Sequence, residues 1–330
     1  MQYRQLGNSG LFVSQLGLGT NAFGKRADEQ ASIEIIDEAI HSGITFLDTA
    51  NIYANTESER IIGKALQDKR HEVVLATKAG LPTAGAGGAG ASTRGSSRRH
   101  LMQELEHSLK RLQTDYIDLY QIHTFDPYTP LEETLRTLEA MVQSGKVRYI
   151  GASNYWAWEL MKALGISERL GISRYISIQQ SYSLADRTLE REIVPLCLDQ
   201  GVGIIPYFPL AGGILTGKYI SKDELPSQSR AVRDPNFQKF LSPDKLQLGQ
   251  QVSELAAACG CTPAVLSLAW TMKQPAVSTV IVGATSADQL RSNREAVQFE
   301  PSQDIMLELD RISAKFIHGE PFASYRLTQG

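Results

Sequence analysis

Cysteine is nearly absent. Only Cys197, Cys259 and Cys261 occur among 330 residues, and no two form a CxxC pair. A disulfide framework or a structural zinc therefore has little to build on, no metal site is expected, and the three thiols read as buried positions within helical patterns. An excess of either charge is also lacking: 33 Lys and Arg stand against 36 Asp and Glu, for a net charge of -3. The basic residues are scattered, so nothing builds the face that nucleic acid or anionic lipid requires. No apolar run approaches the ~20 residues that span a bilayer. The opening MQYRQLGNSG has neither the charged start nor the apolar stretch of a secretory signal. These absences lead us to expect a cytoplasmic protein that binds a small molecule, with no nucleic-acid or membrane partner. What the chain does have is 42% hydrophobic residues, enough for a large core without staples.

Short aliphatic or β-branched runs recur: QLGLGT, GITFLDTA, EVVLATKAG, DYIDLYQIH, KVRYIGASN, YISIQQSYS, GVGIIPYFPL and VSTVIVGAT. Between most of them the apolar residues take helical spacing, as in Leu101, Leu105, Leu109 and Leu112. Thr56 to Glu59 and Thr129 to Glu132, the latter with Pro130, fit capping boxes, and Gly43 and Gly145 suit helix ends. Near-continuous apolar strands alternating with helices predict a parallel sheet, and their number favours α/β (β/α)8 barrel architecture over an open sheet. We expect residues 1–330 to form one such barrel domain. YRQLGNSGLFVS reads as a hairpin plugging its bottom, and PSQDIMLELDRISAKFI as an additional terminal helix. The stretch from Lys218 to Pro243 is rich in Ser, Pro and charge.

In such barrels chemistry sits at the C-terminal ends of the strands. Asp48, Lys78, His123, Ser153 with Asn154, Gln179 and Tyr207 end six of the eight runs. Each has an ordinary reading, but several polar groups converging on one mouth favour a site, and a lysine buried there needs an acid such as Asp48 beside it. His41, His71, His100, His107 and His318 fall on helices or loops and read as surface residues. Gly85, Gly87 and Gly90 form a literal GxGxxG. The next helix begins only near Ser97, so the pattern reads as a loop at the barrel mouth and not as a phosphate cradle.

FLDTANIY, TKAG, SLKRLQTDYIDLYQIH, GKVRYIGASNYW, IQQSYSL, PLAGGILTGKY and VIVGATSADQL together resemble the aldo-keto reductase superfamily. The resemblance covers almost the whole chain and is strongest to the branch that includes potassium-channel β subunits. It implies a catalytic tetrad of Asp48, Tyr53, Lys78 and His123. Hydride delivery to a carbonyl builds charge on its oxygen, and a proton donor must meet that charge. Tyr53 supplies the proton, Lys78 is expected to stabilise the phenolate, Asp48 holds Lys78, and neutral His123 orients the carbonyl.

The resemblance further implies a nicotinamide cofactor. Ser153, Asn154 and Gln179 bind its carboxamide, with Tyr207 stacked on the ring, and Thr20 is a further cofactor contact. Phe208, Pro209, Leu210, Ala211 and Gly212 pass its pyrophosphate, with Lys218 and Arg230 folded over. Gly283, Thr285, Gln289, Ser292 and Asn293 meet its adenosine end, where a helix N-terminus suits phosphate. The only acid near that helix start is Asp288, so NADPH is expected over NADH, with NADH as the alternative. The expected activity is reduction of a small-molecule carbonyl, an aldehyde, sugar or ketone, with Phe23, Phe125, Trp156 and Phe208 as candidate lining of the mouth. Two other readings stay open: a cofactor-sensing regulatory subunit, and a Schiff-base aldolase acting through Lys78.

Overall fold

The computed structural model describes residues 1–83, 93–219, 221, 225–227, 229–323 and 325–327. The chain opens with a hairpin of β1 (Tyr3–Gln5) and β2 (Phe12–Ser14), paired antiparallel. The barrel strands follow: β3 (Leu16–Gly19), β4 (Phe46–Asp48), β5 (Val74–Ala79), β6 (Ile117–Ile122), β7 (Val147–Ser153), β8 (Tyr175–Ser181), β9 (Gly203–Tyr207) and β10 (Val280–Gly283). They form one parallel sheet in the order β10-β3-β4-β5-β6-β7-β8-β9. A parallel bridge between Ile204 and Val277 joins the two ends. There the Ile204 N–H donates to the Ala276 carbonyl at 2.8 Å and the Ser278 N–H to the Ile204 carbonyl at 3.0 Å. This is the expected (β/α)8 barrel.

Helices α1 (Glu29–His41), α2 (Glu57–Ala65), α3 (Arg98–Leu112), α4 (Leu131–Gln143), α5 (Ala157–Leu170) and α6 (Ile193–Gln200) follow β3 to β8 in turn. The connection from β9 to β10 carries α7 (Arg230–Arg233), α8 (Pro243–Ala258) and α9 (Pro263–Met272). After β10 come α10 (Ala287–Arg294) and the expected terminal helix, α11 (Gln303–Ser313). No single helix among the described residues is long and apolar enough to cross a membrane. Gly43 and Gly145 have φ of +79° and +75° just past α1 and α4, as expected of helix ends.

Alternation along the strands sorts the barrel interior into layers. Phe46, Ala76, Leu119, Ile205 and Ile281 form an apolar cluster, and the hairpin residues Leu6 and Val13 complete it from below. The hairpin is thus the expected plug. A Cβ on Gly7 (φ +58°) would meet the Ile176 and Gly201 carbonyls at 2.6 Å, so only glycine admits this approach to the barrel floor. Two residues further along β4, β5, β6 and β9, on the same side of each strand, stand Asp48, Lys78, Gln121 and Tyr207.

Both capping boxes fail. Thr56 precedes α2 with φ +77° and makes no side-chain cap. The Glu59 carboxylate accepts from Thr77 Oγ1 and Arg111 Nε, each at 2.6 Å. In the second, Pro130 is itself the cap of α4, and the Thr129 hydroxyl donates to Asp126 at 2.7 Å. The thiols differ as well: Cys197 is buried, whereas Cys259 caps α8 and Cys261 follows it, both half-buried.

Leu6→Ala should destabilise the protein by about 2–5 kcal/mol in urea unfolding, the range for emptying a packed leucine site. Phe12→Ala, at a position 56% exposed on the same hairpin, should stay within about 0.5 kcal/mol. A Leu6→Ala loss no larger than the Phe12→Ala loss would show that the hairpin lies outside the barrel core.

Candidate active site

Lys78 lies at the centre of the barrel mouth with no solvent exposure. Its ammonium donates to Asp48 Oδ2 at 2.6 Å and to the Thr49 carbonyl at 2.7 Å, and stands 3.5 Å from the Tyr53 hydroxyl. An ammonium has three donors, so two are committed and the third faces Tyr53. The other Asp48 oxygen accepts from Gln179 Nε2 at 2.8 Å and Gln121 Nε2 at 3.1 Å. His123 follows β6 and meets the Tyr53 ring edge-on at 6.0 Å between centroids. The structure therefore brings Asp48, Tyr53, Lys78 and His123 together.

Burial governs the protonation of this group. It pulls the Lys78 ammonium below its ordinary range, and the Asp48 carboxylate pulls in the opposite direction. It pushes the Tyr53 phenol well above its ordinary range, and the Asp48 charge adds to that shift. The sequence led us to expect Lys78 to lower this phenol. The phenol is instead raised, by burial first and then by Asp48, Tyr325 and Tyr207. His123 is driven well below its ordinary range by burial and then by the Lys78 charge, which leaves a neutral ring near pH 7. Its Nδ1 is buried without a partner.

The loop carrying Tyr53 is tied to the barrel on several sides. Thr49 N–H donates to the Ala76 carbonyl at 2.9 Å and Asn51 N–H to the Lys78 carbonyl at 3.1 Å. Asn51 Nδ2 donates to buried Glu104 at 2.6 Å. After Tyr53 three consecutive residues, Ala54, Asn55 and Thr56, have φ of +48°, +54° and +77°. Left-handed backbone costs roughly 1–2 kcal/mol per non-glycine residue, so the surrounding bonds must hold this turn in place.

The residues expected around a cofactor fall into distinct groups. Thr20 is buried: its hydroxyl donates to the Asp48 carbonyl at 3.0 Å and accepts from Ser58 at 2.9 Å, so it braces the tetrad from within the fold. The Ser153 hydroxyl donates to the Gln179 carbonyl at 3.0 Å and accepts from Asn154 at 3.0 Å. Asn154, with φ +56°, donates from Nδ2 to the His123 carbonyl at 2.9 Å and accepts at Oδ1 from the Tyr207 hydroxyl at 2.7 Å. Gln179 directs its amide nitrogen to Asp48 and so also orients the acid.

Beyond β9, Phe208 and Ala211 have φ of +54° and +46°, and Gly212 and Gly213 continue the turn at +66° and +104°. Pro209 is buried and Leu210 half-buried. Lys218 folds back here, close enough that a Cβ on Gly213 would meet its Nζ at 2.8 Å. Arg230 lies over the Phe208 ring at 5.1 Å. Arg26 and Arg233 join these two: Arg26 feels the repulsion of Arg230 and Arg233, and Lys218 that of Arg26 and Arg230, after the effect of burial on each. No ion pair to an acid accompanies these four cations among the described residues. Such a cluster fits a polyanionic group.

At the far end, Gly283, Thr285, Gln289 and Ser292 are exposed and Asn293 is buried. Ser286 caps α10, accepting from the Gln289 N–H at 3.2 Å. The Gln289 side-chain oxygen Oε1 accepts from Thr285 N–H at 2.8 Å and Oγ1 at 3.2 Å. Asn293 Nδ2 is buried without a partner. Asp288 pairs with Arg291, and Arg291 also pairs with Glu38 of α1. The orphan donor and the cation cluster both suit a phosphate-bearing nucleotide cofactor.

Sequence reasoning missed Gln121, although it stands two residues before His123 and hence on the opposite strand face from Ile122. It also missed Arg26, which only the fold carries to the β9 loop. His100, expected at the surface, is 2% exposed in the first turn of α3; His41, His71, His107 and His318 are exposed. Gly85, Gly87 and Gly90 lie outside the described residues.

A barrel with a buried acid–lysine pair, a tyrosine and a neutral histidine at its mouth defines a class of protein. The chain belongs to the Aldo/keto reductase family, which it matches over residues 15–314. It is 38% identical to an uncharacterized oxidoreductase, YrpG, of Bacillus subtilis, over 94% of this chain and 96% of that protein. It is 36% identical to a probable voltage-gated potassium channel subunit beta of Arabidopsis thaliana, over 91% and 92%. A versiconal hemiacetal acetate reductase of Aspergillus parasiticus is also 36% identical, over 90% and 93%.

Burial of neutral His123 has a thermodynamic consequence. Its folded-state pKa lies below the unfolded value near 6.5, so below that pH the unfolded chain binds the extra proton and stability falls. The expected slope for this one group is up to about 1.4 kcal/mol per pH unit. Unfolding free energies of wild type and His123→Phe between pH 7.5 and 5 should diverge accordingly, with the wild type losing more. A constant difference across that window would show that the imidazole titrates as it does in water.

Proposed function

We propose that this chain is an oxidoreductase that reduces aldehyde or ketone carbonyls to alcohols with a nicotinamide cofactor, NADPH in preference to NADH. The observation that carries this reading is the buried Asp48–Lys78 pair with its remaining donor turned toward a protonated Tyr53, in a family whose members include named reductases. A bound reduced nicotinamide would supply the hydride to the carbonyl carbon. Tyr53 would give its proton to the carbonyl oxygen as negative charge builds there; an alkoxide is more basic than a phenolate, so the transfer runs downhill. Lys78 would meet the new phenolate with its third N–H, and solvent would return the proton to Tyr53. His123, neutral, would donate a hydrogen bond to the same carbonyl oxygen.

For the cofactor, Asn154 and Gln179 are the proposed partners of the carboxamide, with Ser153 bracing them and Tyr207 as the platform for the ring. Leu210, Ala211 and Gly212 would pass the pyrophosphate, with Lys218, Arg230 and Arg26 opposing its charge. Thr285, Gln289 and Asn293 would meet the adenosine end. NADPH is favoured because Asp288, the acid in the first turn of α10, is engaged by Arg291 and is not offered to a ribose hydroxyl pair. A second reading, a regulatory subunit with slow turnover, draws support from the relatives named potassium channel subunit beta; turnover on carbonyls separates the two.

Tyr53→Phe should lose at least ~100-fold in turnover of an activated aromatic aldehyde while binding NADPH within about threefold of wild type. Retention of more than a tenth of wild-type turnover, with chemistry rate-limiting, would remove Tyr53 from the acid's role. In fluorescence titrations the wild type should bind NADPH more tightly than NADH, and Gln289→Glu should weaken NADPH selectively. Equal or tighter binding of NADH to the wild type overturns the preference and leaves the reductase reading intact.

A further inference from the structure

The last described residues, 321–323 and 325–327, cross the barrel mouth as a strap beside the tetrad. Phe322 is 2% exposed, stacks on Phe240 at 4.5 Å, and donates its N–H to Asp186 Oδ2 at 2.7 Å. The Ala323 carbonyl accepts from the Tyr207 hydroxyl at 3.3 Å, and the Tyr325 carbonyl from Thr124 Oγ1 at 2.6 Å. The Tyr325 ring lies 6.4 Å from that of Tyr207. Arg326 then closes the strap. Its Nη1 donates to the Asn154 carbonyl at 2.9 Å and to Glu159 Oε2 at 3.0 Å, and its Nη2 to Glu159 Oε1. The guanidinium also lies 3.9 Å over the Trp156 ring.

Glu159 is 1% exposed and accepts the Trp156 N–H at 2.8 Å, so it holds the start of α5 and the Arg326 fork together. Asn154 stands at the junction. Its side chain links the His123 carbonyl to the Tyr207 hydroxyl, its N–H donates to the Gln179 carbonyl at 3.1 Å, and its φ is +56°. Such a backbone persists only where surrounding bonds over-determine it, and Arg326 makes the bond that comes from outside the barrel. Behind the strap lies a cavity of about 360 Å³, lined in part by Trp156, Trp158, Arg191, Pro321 and Ala323. Phe322 anchors the strap by packing at one end, and the Arg326 fork ties it beside this cavity at the other.

We propose that Arg326 is a positioning residue for hydride transfer: by pinning the strap to Glu159 and Trp156 and bonding the Asn154 carbonyl, it holds Asn154 and Tyr207 where the nicotinamide must dock. This rests on the oxidoreductase reading above. A planar fork suits the task, since it meets both Glu159 oxygens while stacking on an aromatic face. Lysine reproduces the charge but neither the fork nor the stack.

The test uses the full chain with Arg326→Ala, Arg326→Lys and the double variant Arg326→Ala/Glu159→Gln. The double variant removes the buried charge that Arg326→Ala strands, and so separates positioning from folding. NADPH affinity, kcat and KM on an activated aromatic aldehyde, Trp emission and Tm are measured for each. The double variant is expected to melt near the wild type, to lose ~10-fold or more in kcat, and to bind NADPH at least ~5-fold more weakly, since small misplacements at a reacting centre cost one to two orders of magnitude. Arg326→Lys should recover only part of both losses. Trp emission should shift in every variant as the guanidinium leaves Trp156, and chymotrypsin, which cuts after Phe322 and Tyr325, should cut the strap faster in Arg326→Ala.

Folded variants with kcat and NADPH affinity within twofold of wild type overturn the proposal, as does a failure of all three to fold, which would make Arg326 a scaffold residue. A wild type that turns over no carbonyl instead overturns the oxidoreductase reading; the Trp emission and chymotrypsin results then decide alone whether Arg326 anchors the strap.

Discussion

Everything at the mouth of this barrel is arranged around one buried charge pair. Taking the Lys78 ammonium and the Asp48 carboxylate out of water carries a desolvation penalty of several kcal/mol per ion, which their attraction offsets only if the remaining lone pairs and protons are satisfied. They are: two amides, from Gln121 and Gln179, serve the free Asp48 oxygen, and the Thr49 carbonyl takes a second ammonium donor. Only a closed ring of strands can bring the acceptor on β4 and donors from β5, β6 and β8 to one point. The barrel is needed for the pair, and the pair contributes little to the barrel. A hydrophobic filling of the same volume would be as stable or more so, which argues that the pair is kept for what it does to Tyr53.

That effect is one of direction. Burial alone makes a phenol reluctant to ionise, and Asp48 reinforces it. If Tyr53 acts as an acid, as proposed, it would hold its proton before any reaction, and the uncommitted ammonium donor would gain value only when that proton departs. An interaction that strengthens as charge develops lowers a barrier, whereas one already made in the resting state does not. The 3.5 Å gap between Lys78 and Tyr53 fits a contact kept in reserve.

The sequence made the barrel legible because burial on both faces of a parallel strand leaves continuous apolar runs, and the eight such runs are the eight strands found. Asp48, Lys78 and His123 were legible because a polar residue closing such a run must face either solvent or a site at the barrel mouth. Local rules failed where tertiary bonds outbid them. Glu59 sits three residues after Thr56, the spacing of a capping box, but Arg111 and Thr77 offer it a buried charge-assisted site that a helix end cannot match. His100 looked like a surface residue because the helix pattern does not say which face of α3 meets the barrel. Gln121 and Arg326 were invisible for a related reason: an amide in an apolar strand and an arginine near a chain end gain meaning only from what they touch.

The electrostatics of the mouth divide along the same lines. On the tetrad side each charge has a partner close by, so its field cancels within a few ångströms. Around the β9 loop, Arg26, Lys218, Arg230 and Arg233 face one another with no ion pair to an acid among the described residues, and their fields add. A net charge of -3 spread over the chain conceals this, because net charge says nothing about where opposite signs are separated. Beyond a few ångströms the mouth is thus positive at one end and nearly neutral at the other. A ligand with one polyanionic end and one uncharged end would be drawn in by its charged end first and turned lengthwise before it touches the tetrad. Orientation would then be set by charge and depth by shape, and the proposed chemistry at Tyr53 would need no long-range attraction of its own.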